Sequence, residues 1–244
     1  MIVGPTRTSN RGGRATRTRL LETAERLFAA QGIDAVSVTE ILEAAGHRNK
    51  NAVNYHFGGK DGLTIAIAEY RSEALNMRRT ALLADIHAQG REHDLHALSR
   101  SLVVPLAELL DDEKNHFLGF LARYHIDRSR RQLVESVDPR VTESYREAFA
   151  LIRTASGLSR QQLSIRFSIA LDMLFTALAG RHAQERSPEG GVTSSRPVFV
   201  ENLVACVAGC FTTTVRDDIV NCPDSSRPVG AGFAPEPASG TVAR

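Results

Sequence analysis

The sequence predicts an all-α protein: a small N-terminal helix-turn-helix unit of three helices, then a larger helical body, about nine helices in total. Three observations predict it. Apolar residues recur at three- and four-residue spacing through most of the chain, no period-two pattern competes anywhere, and two short helical patterns meet at a glycine-containing turn between 37 and 57.

The first helix carries Leu20, Leu21, Ala24, Leu27 and Phe28 at helical spacing, with Gly32 as its stop. A short second helix holds Val38, Ile41, Leu42 and Ala45, opening on Ser37-Val38-Thr39-Glu40, the spacing of a capping box. Gly46 ends it, and Asn49 to Phe57 forms the third. After Gly58-Gly59 a long helix starts at Lys60-Asp61, striped by Leu63, Ile67, Tyr70, Ala74, Met77, Ala81 and Ile86, and closed by Gly90. Further helices are expected near 94–110, 113–127, 139–155, 159–185 and 197–215, with Pro105 kinking the first of these by removing a backbone bond. Beyond Asp218 the chain turns rich in Pro, Ser, Gly and Ala without periodicity, so 219–244 is expected to be disordered.

Composition narrows the function. The apolar share is 42% and no apolar run approaches the roughly 20 residues of a membrane span, so no membrane partner is expected. No secretory signal opens the chain, and three clustered cysteines (Cys206, Cys210, Cys222) make no disulfide framework; the expected compartment is the cytoplasm. Cys206 and Cys210 lie one helical turn apart, a spacing open to a thiol switch but more ordinary for buried, unreactive cysteine. Net charge is only +2, yet the first nineteen residues hold five arginines and no acid. Such an arm, over residues 1–15, suits phosphate contact as well as plain solvation.

The stretch 37–57 is where chemistry concentrates. In a helix-turn-helix the first short helix braces on the phosphate backbone and the second enters the major groove of double-stranded DNA. Small Ala44 and Ala45 let the two helices cross closely, and Ser37 and Thr39 stand at a helix N-terminus fit for a phosphate. Arg48, Asn49, Lys50, Asn51 and Asn54 are the candidates for base edges, since Arg and Lys suit guanine acceptors and Asn pairs with adenine. His47 and His56 have no Cys or acidic partner at ligand spacing, so no metal and no cofactor is expected. No phosphate loop, nucleophile elbow or paired carboxylate points to an enzyme.

Asn54-Tyr55-His56-Phe57-Gly58-Gly59-Lys60-Asp61-Gly62-Leu63 resembles the Tyr-x-x-Phe-x-x-Lys-x-x-Leu signature of TetR-family regulators, and Leu27 to Gly32 and Val38 to Gly46 are similar to the same family. Motif-level resemblance covers about 17–65, with one residue more between Gly46 and Tyr55 than the commonest pattern, which the turn or the first helical turn must absorb. The resemblance implies phosphate contacts for Tyr55, His56 and Lys60; Arg17 and Thr39 fit the same role. It implies a DNA-binding domain at 16–62 and an effector-binding and dimerisation domain at 63–218. It further implies a homodimer whose late helices form a four-helix bundle; Leu171, Leu174, Leu178, Leu203, Val207 and Phe211 are the candidate interface. An effector pocket for a small molecule is expected among Phe117, Phe120, Tyr124, Phe149, Phe167, Met173 and Phe175, with His116, Arg123 and His125 for polar discrimination. The expected function is a ligand-released repressor on a palindromic operator. The rivals are a ligand-independent or architectural DNA-binding protein and a helical protein-interaction module.

Overall fold

A computed structural model describes residues 8–112, 115–126, 137–188 and 191–212, with side chains from residue 12 onward. Among them are nine α-helices and no strand: α1 Thr8–Gln31, α2 Val38–Ala44, α3 Ala52–Phe57, α4 Lys60–Ala88, α5 Leu95–Ala107, α6 Phe117–Ile126, α7 Glu143–Ser156, α8 Arg160–Glu185 and α9 Arg196–Thr212. Short 3-10 turns occupy Glu108–Asp111 and Pro139–Thr142. The C-terminal stretch expected to be disordered, Arg7 of the basic segment and Cys222 lie outside the described residues. The basic segment is helical from Thr8, so α1 starts eight residues before the expected domain boundary.

Helices α1, α2 and α3 close over a small core of Leu20, Leu21, Ala24, Phe28, Ile41, Leu42, Ala45 and Val53, all buried. α1 then packs on α4 and α6, and its crossing with α6 is tight: a Cβ on Gly119 would meet the Ala29 Cβ at 3.2 Å. α4, 29 residues and so about 43 Å long, runs from the end of α3 into the body. α5 is the central helix, buried on nearly every side and packed by α4, α7 and α9. α8 is long and apolar enough to cross a membrane by length and composition alone, but Leu163, Phe167, Leu171, Leu174 and Leu178 bury its apolar stripe in this core.

Three expectations need correction. Beyond Ala68 the buried stripe of α4 is Leu75, Arg79, Leu83 and Ile86, whereas Tyr70, Ala74, Met77 and Ala81 face outward. A charged residue at 79 hides this stripe from any reading of apolar spacing. Pro105 is not in the middle of its helix: it sits in the last turn of α5, and the 3-10 turn begins three residues later. The six residues expected at a subunit interface, Leu171, Leu174, Leu178, Leu203, Val207 and Phe211, are at most 6% exposed within one chain. They already fill the space between α5, α7, α8 and α9 and have no surface left for a partner.

Candidate DNA-binding site

Local rules build the helix pair. Ser37 caps α2, its hydroxyl accepting from the Glu40 N–H at 3.1 Å, while the Glu40 carboxylate accepts the Gln31 amide at 2.9 Å. α2 ends in a Schellman turn: the His47 N–H donates to the Leu42 carbonyl and the Gly46 N–H to that of Glu43, with Gly46 at φ +65°. From there to Asn51 the chain is turn, not helix. The Asn49 side-chain oxygen accepts from the Asn51 N–H at 2.9 Å, and His47 Nδ1 accepts from the Asn49 N–H at 3.3 Å. The additional residue seen in the sequence is therefore taken up before α3, which begins at Ala52.

α3 turns Ala52 and Val53 into the core and leaves Asn54 and Tyr55 outside, so Asn51, Asn54 and Tyr55 share one outward face at i, i+3 and i+4. Tyr55 is 80% exposed, with only the edge of the His56 ring against it at 4.9 Å. A large apolar ring held in water at that level costs free energy unless something covers it. Gly58, at φ +73°, closes α3 in the left-handed region. Gly62 has a stricter reason to be glycine: a Cβ there would stand 1.8 Å from the Phe57 carbonyl oxygen. The α3–α4 junction is thus held by one close backbone approach.

The expected contact residues separate into groups. Arg48, Lys50, Asn51, Asn54 and Tyr55 are exposed together on the turn and the outer face of α3, and Thr39 is exposed in the first turn of α2. Asn49 is exposed as well, but its side-chain oxygen is engaged in the turn. The Ser37 hydroxyl serves as the α2 cap. Arg17 reaches over the Phe57 ring, 5.1 Å from its centre, and stays exposed at the edge of α3. His56 is half-buried. Lys60 is half-buried too: its ammonium donates to the Asp34 carbonyl at 3.3 Å and lies 6.0 Å from the Phe28 ring centre. It braces the loop before α2 against the start of α4.

An ion pair ties this unit to the body, and apolar spacing alone does not reveal it. Glu25 sits on the inward face of α1 between Leu21 and Phe28 and is 2% exposed. Arg71 of α4 donates to it from Nε at 2.7 Å and Nη2 at 3.1 Å, and the His116 N–H donates at 3.2 Å. The Glu25 carboxylate holds the Arg71 guanidinium's pKa above its usual value despite burial. The only sequence signal for this link is an acid inside an apolar stripe.

The expected effector residues fall into two aromatic clusters. Phe28, Phe117, Phe120 and Tyr124 stack between α1 and α6, while Phe149 and Phe167 join Tyr145 and Phe211 between α7, α8 and α9. Phe175 meets the His125 ring, whose Nδ1 lies 2.6 Å from Asp172, and Met173 is half-buried against the core. Arg123 does not face either cluster: it donates to the Ala29 and Ala30 carbonyls at the end of α1. Burial lowers the pKa of His116, whose backbone holds Glu25. Of all these, only Phe117 borders the groove of about 260 Å³ beside Tyr70, Arg71, Met77 and Leu109. Cys206 is exposed, contrary to expectation, while Cys210 is half-buried with its thiol pKa pushed up by burial. Among the described residues no three His, Cys, Asp or Glu side chains gather as metal ligands.

Residues 20–67 match the family model of bacterial regulatory proteins described as the tetR family. That span covers α1 from its first buried leucine, both short helices and the start of α4. Residues 20–67 thus carry a domain of the tetR-family kind. It is similar to the HTH-type transcriptional repressor AcnR of Corynebacterium efficiens, with 37% identity over 65 residues, 27% of this chain and 33% of that one. The chain thus matches about a third of that TetR-family relative's length. Among solved structures, a mutant of the HlyIIR protein overlays with a TM-score of 0.51 at 14% identity, covering 83% of this chain and 100% of the other, a likeness of fold. A candidate TetR-family transcriptional regulator from Mesorhizobium loti gives a TM-score of 0.48 at 20% identity, over 84% and 97% of the two chains.

Proposed function

We propose that this protein is a cytoplasmic TetR-family transcriptional repressor that binds a palindromic operator as a homodimer and is released by a small-molecule effector. The observation that carries the reading is the outward face of the turn and α3. Arg48, Lys50, Asn51, Asn54 and Tyr55 stand exposed together, at the place where a helix-turn-helix meets the major groove. Arg17 and Thr39 flank that face and suit the neighbouring phosphates. The name of the relative AcnR, a transcriptional repressor, supports repression as the direction of control.

The dimer reading rests on faces of α8 and α9 other than those first expected. Ile165, Ile169 and Thr176 on α8 and Val198, Ala205 and Cys206 on α9 are exposed in the single chain. Pairing them with their symmetry mates makes a four-helix bundle and sets two copies of α3 about 34 Å apart, one turn of DNA. The boundary near 62–63 divides the reading unit from the effector-binding and dimerisation body, with α4 as the lever between them. The effector acts by preferring the conformation whose α3 spacing mismatches the operator.

Titration of a selected operator by fluorescence anisotropy tests the reading. Two chains per site are expected, with Tyr55→Ala weakening binding at least tenfold while leaving the helical circular-dichroism spectrum unchanged. Equal affinity of Tyr55→Ala and the natural chain contradicts it.

A further inference from the structure

Arg79 is charged where its described neighbours supply no charge to meet it. It belongs to the inward stripe of α4 and is 6% exposed. Its Nε donates to the Ser101 carbonyl at 3.2 Å, its Nη1 reaches the Ser144 hydroxyl at 3.4 Å, and the Tyr145 ring centre lies 5.6 Å away. The first contact has a local cause: Pro105, four residues after Ser101, has no N–H to give that carbonyl. An open carbonyl needs one donor and no charge. Yet among the described residues no carboxylate stands within ion-pair reach of Arg79. Burial lowers its pKa to about 10, which leaves it a cation at neutral pH.

A guanidinium offers five N–H donors in a planar fork that matches a carboxylate, and here two of them meet neutral oxygens. Burying such a cation without a counter-charge is costly, and a neutral amide would satisfy Ser101. Asn76, one turn earlier on α4, accepts the Ser144 N–H at 2.9 Å and so fixes the second contact. From Tyr145 a run of ring contacts continues into the core: Tyr145 meets Phe167 at 5.2 Å between ring centres, and Phe167 meets Phe149 at 4.9 Å. A buried cation at the end of a run of rings is the donor set for a molecule with an anionic head and an apolar body.

We propose that Arg79 anchors the carboxylate of an amphipathic organic acid whose apolar body lies against Tyr145, Phe149 and Phe167. The inference rests on the effector reading above and names the effector's chemical class. Because Arg79 is carried by α4, an anion bound there acts directly on the helix that begins at the end of α3.

The test compares hexanoate and benzoate with hexanamide, benzamide and inorganic phosphate on the full chain at fixed ionic strength, by melting temperature and calorimetry. The natural chain is expected to bind at least one carboxylate tenfold or more tighter than its amide, and phosphate not at all. Arg79→Gln keeps an N–H donor for Ser101 and removes the charge; it is expected to fold and to bind acid and amide alike. Arg79→Lys keeps the charge without the fork, and an intermediate preference is expected. Binding of no carboxylate, equal binding of acid and amide by the natural chain, or an undiminished preference in a folded Arg79→Gln each overturns the proposal. Carboxylate binding that leaves operator affinity unchanged overturns the effector reading and leaves the anion site standing.

Discussion

At the scale of single residues, one glycine and one ion pair hold the N-terminal unit in place, and each has a measurable consequence. Any side chain at 62 must displace the Phe57 carbonyl, which would lie 1.8 Å from its Cβ. Gly62→Ala is therefore expected to cost about 3 kcal/mol, at the upper end for overpacking, read from urea unfolding. A variant as stable as the natural chain would show that the α3–α4 junction yields freely. The Glu25–Arg71 pair is asymmetric, since the Glu25 side chain is 3% exposed and that of Arg71 26%. Arg71→Ala strands a buried carboxylate with the His116 N–H and is expected to lose about 3 kcal/mol. Glu25→Ala leaves a guanidinium that water can reach, and a smaller loss is expected. The reverse order in denaturant melts would contradict this account of the link. Sequence patterning does not single out these residues. Gly62 is one residue within a longer motif, and Glu25, like Arg79, is a charged residue on an inward stripe, where apolar spacing is blind.

At the scale of elements, helix order and most boundaries were legible because caps and glycine stops are local signals: Ser37, Gly46, Gly58 and Ser159 all sit where helices start or stop. Facing was harder. α4, α8 and α9 carry apolar residues on more than one side, and only packing decides which side is inward; apolar spacing alone puts Tyr70 and Met77 inside and Leu174 and Leu203 at an interface. The end of α4 is fastened to α7 through His87, whose ring nitrogens lie 3.1 Å from Glu92 and 3.0 Å from Glu147. Those two carboxylates, Glu147 foremost, raise the pKa of His87 above 6.5. A group raised in the folded state stabilises fully below its unfolded pKa and loses that contribution as pH rises through its folded pKa. The melting-temperature advantage of the natural chain over His87→Gln is thus expected to be greatest below pH 6.5 and to fade above it. An advantage that grows with pH would reverse the assignment. His116 and His182, lowered chiefly by burial, contribute in the opposite sense and lose stability on acidification, so the comparison with His87→Gln is what isolates the link.

At the scale of the whole molecule, the N-terminal unit was readable almost residue by residue because its motif sits in one short stretch. The body was readable only as helices, since its faces depend on contacts between distant segments. The proposed dimer separates the two kinds of face. Ile169→Glu, at a position 54% exposed, is expected to yield a folded monomer in sedimentation, whereas Leu174→Ala, 1% exposed, should cost about 2–5 kcal/mol of stability without acting at the interface directly. A dimer that survives Ile169→Glu unchanged would move the interface elsewhere. The decisive experiment is selection from random duplex DNA by the natural chain and by the Asn51→Ala/Tyr55→Ala variant, under identical salt. The natural chain is expected to recover one palindromic site with half-sites about one helical turn apart, and the variant to lose it. Recovery of unenriched DNA by the natural chain, or the same site by both proteins, would contradict the assignment of the turn and α3 as the surface that reads sequence.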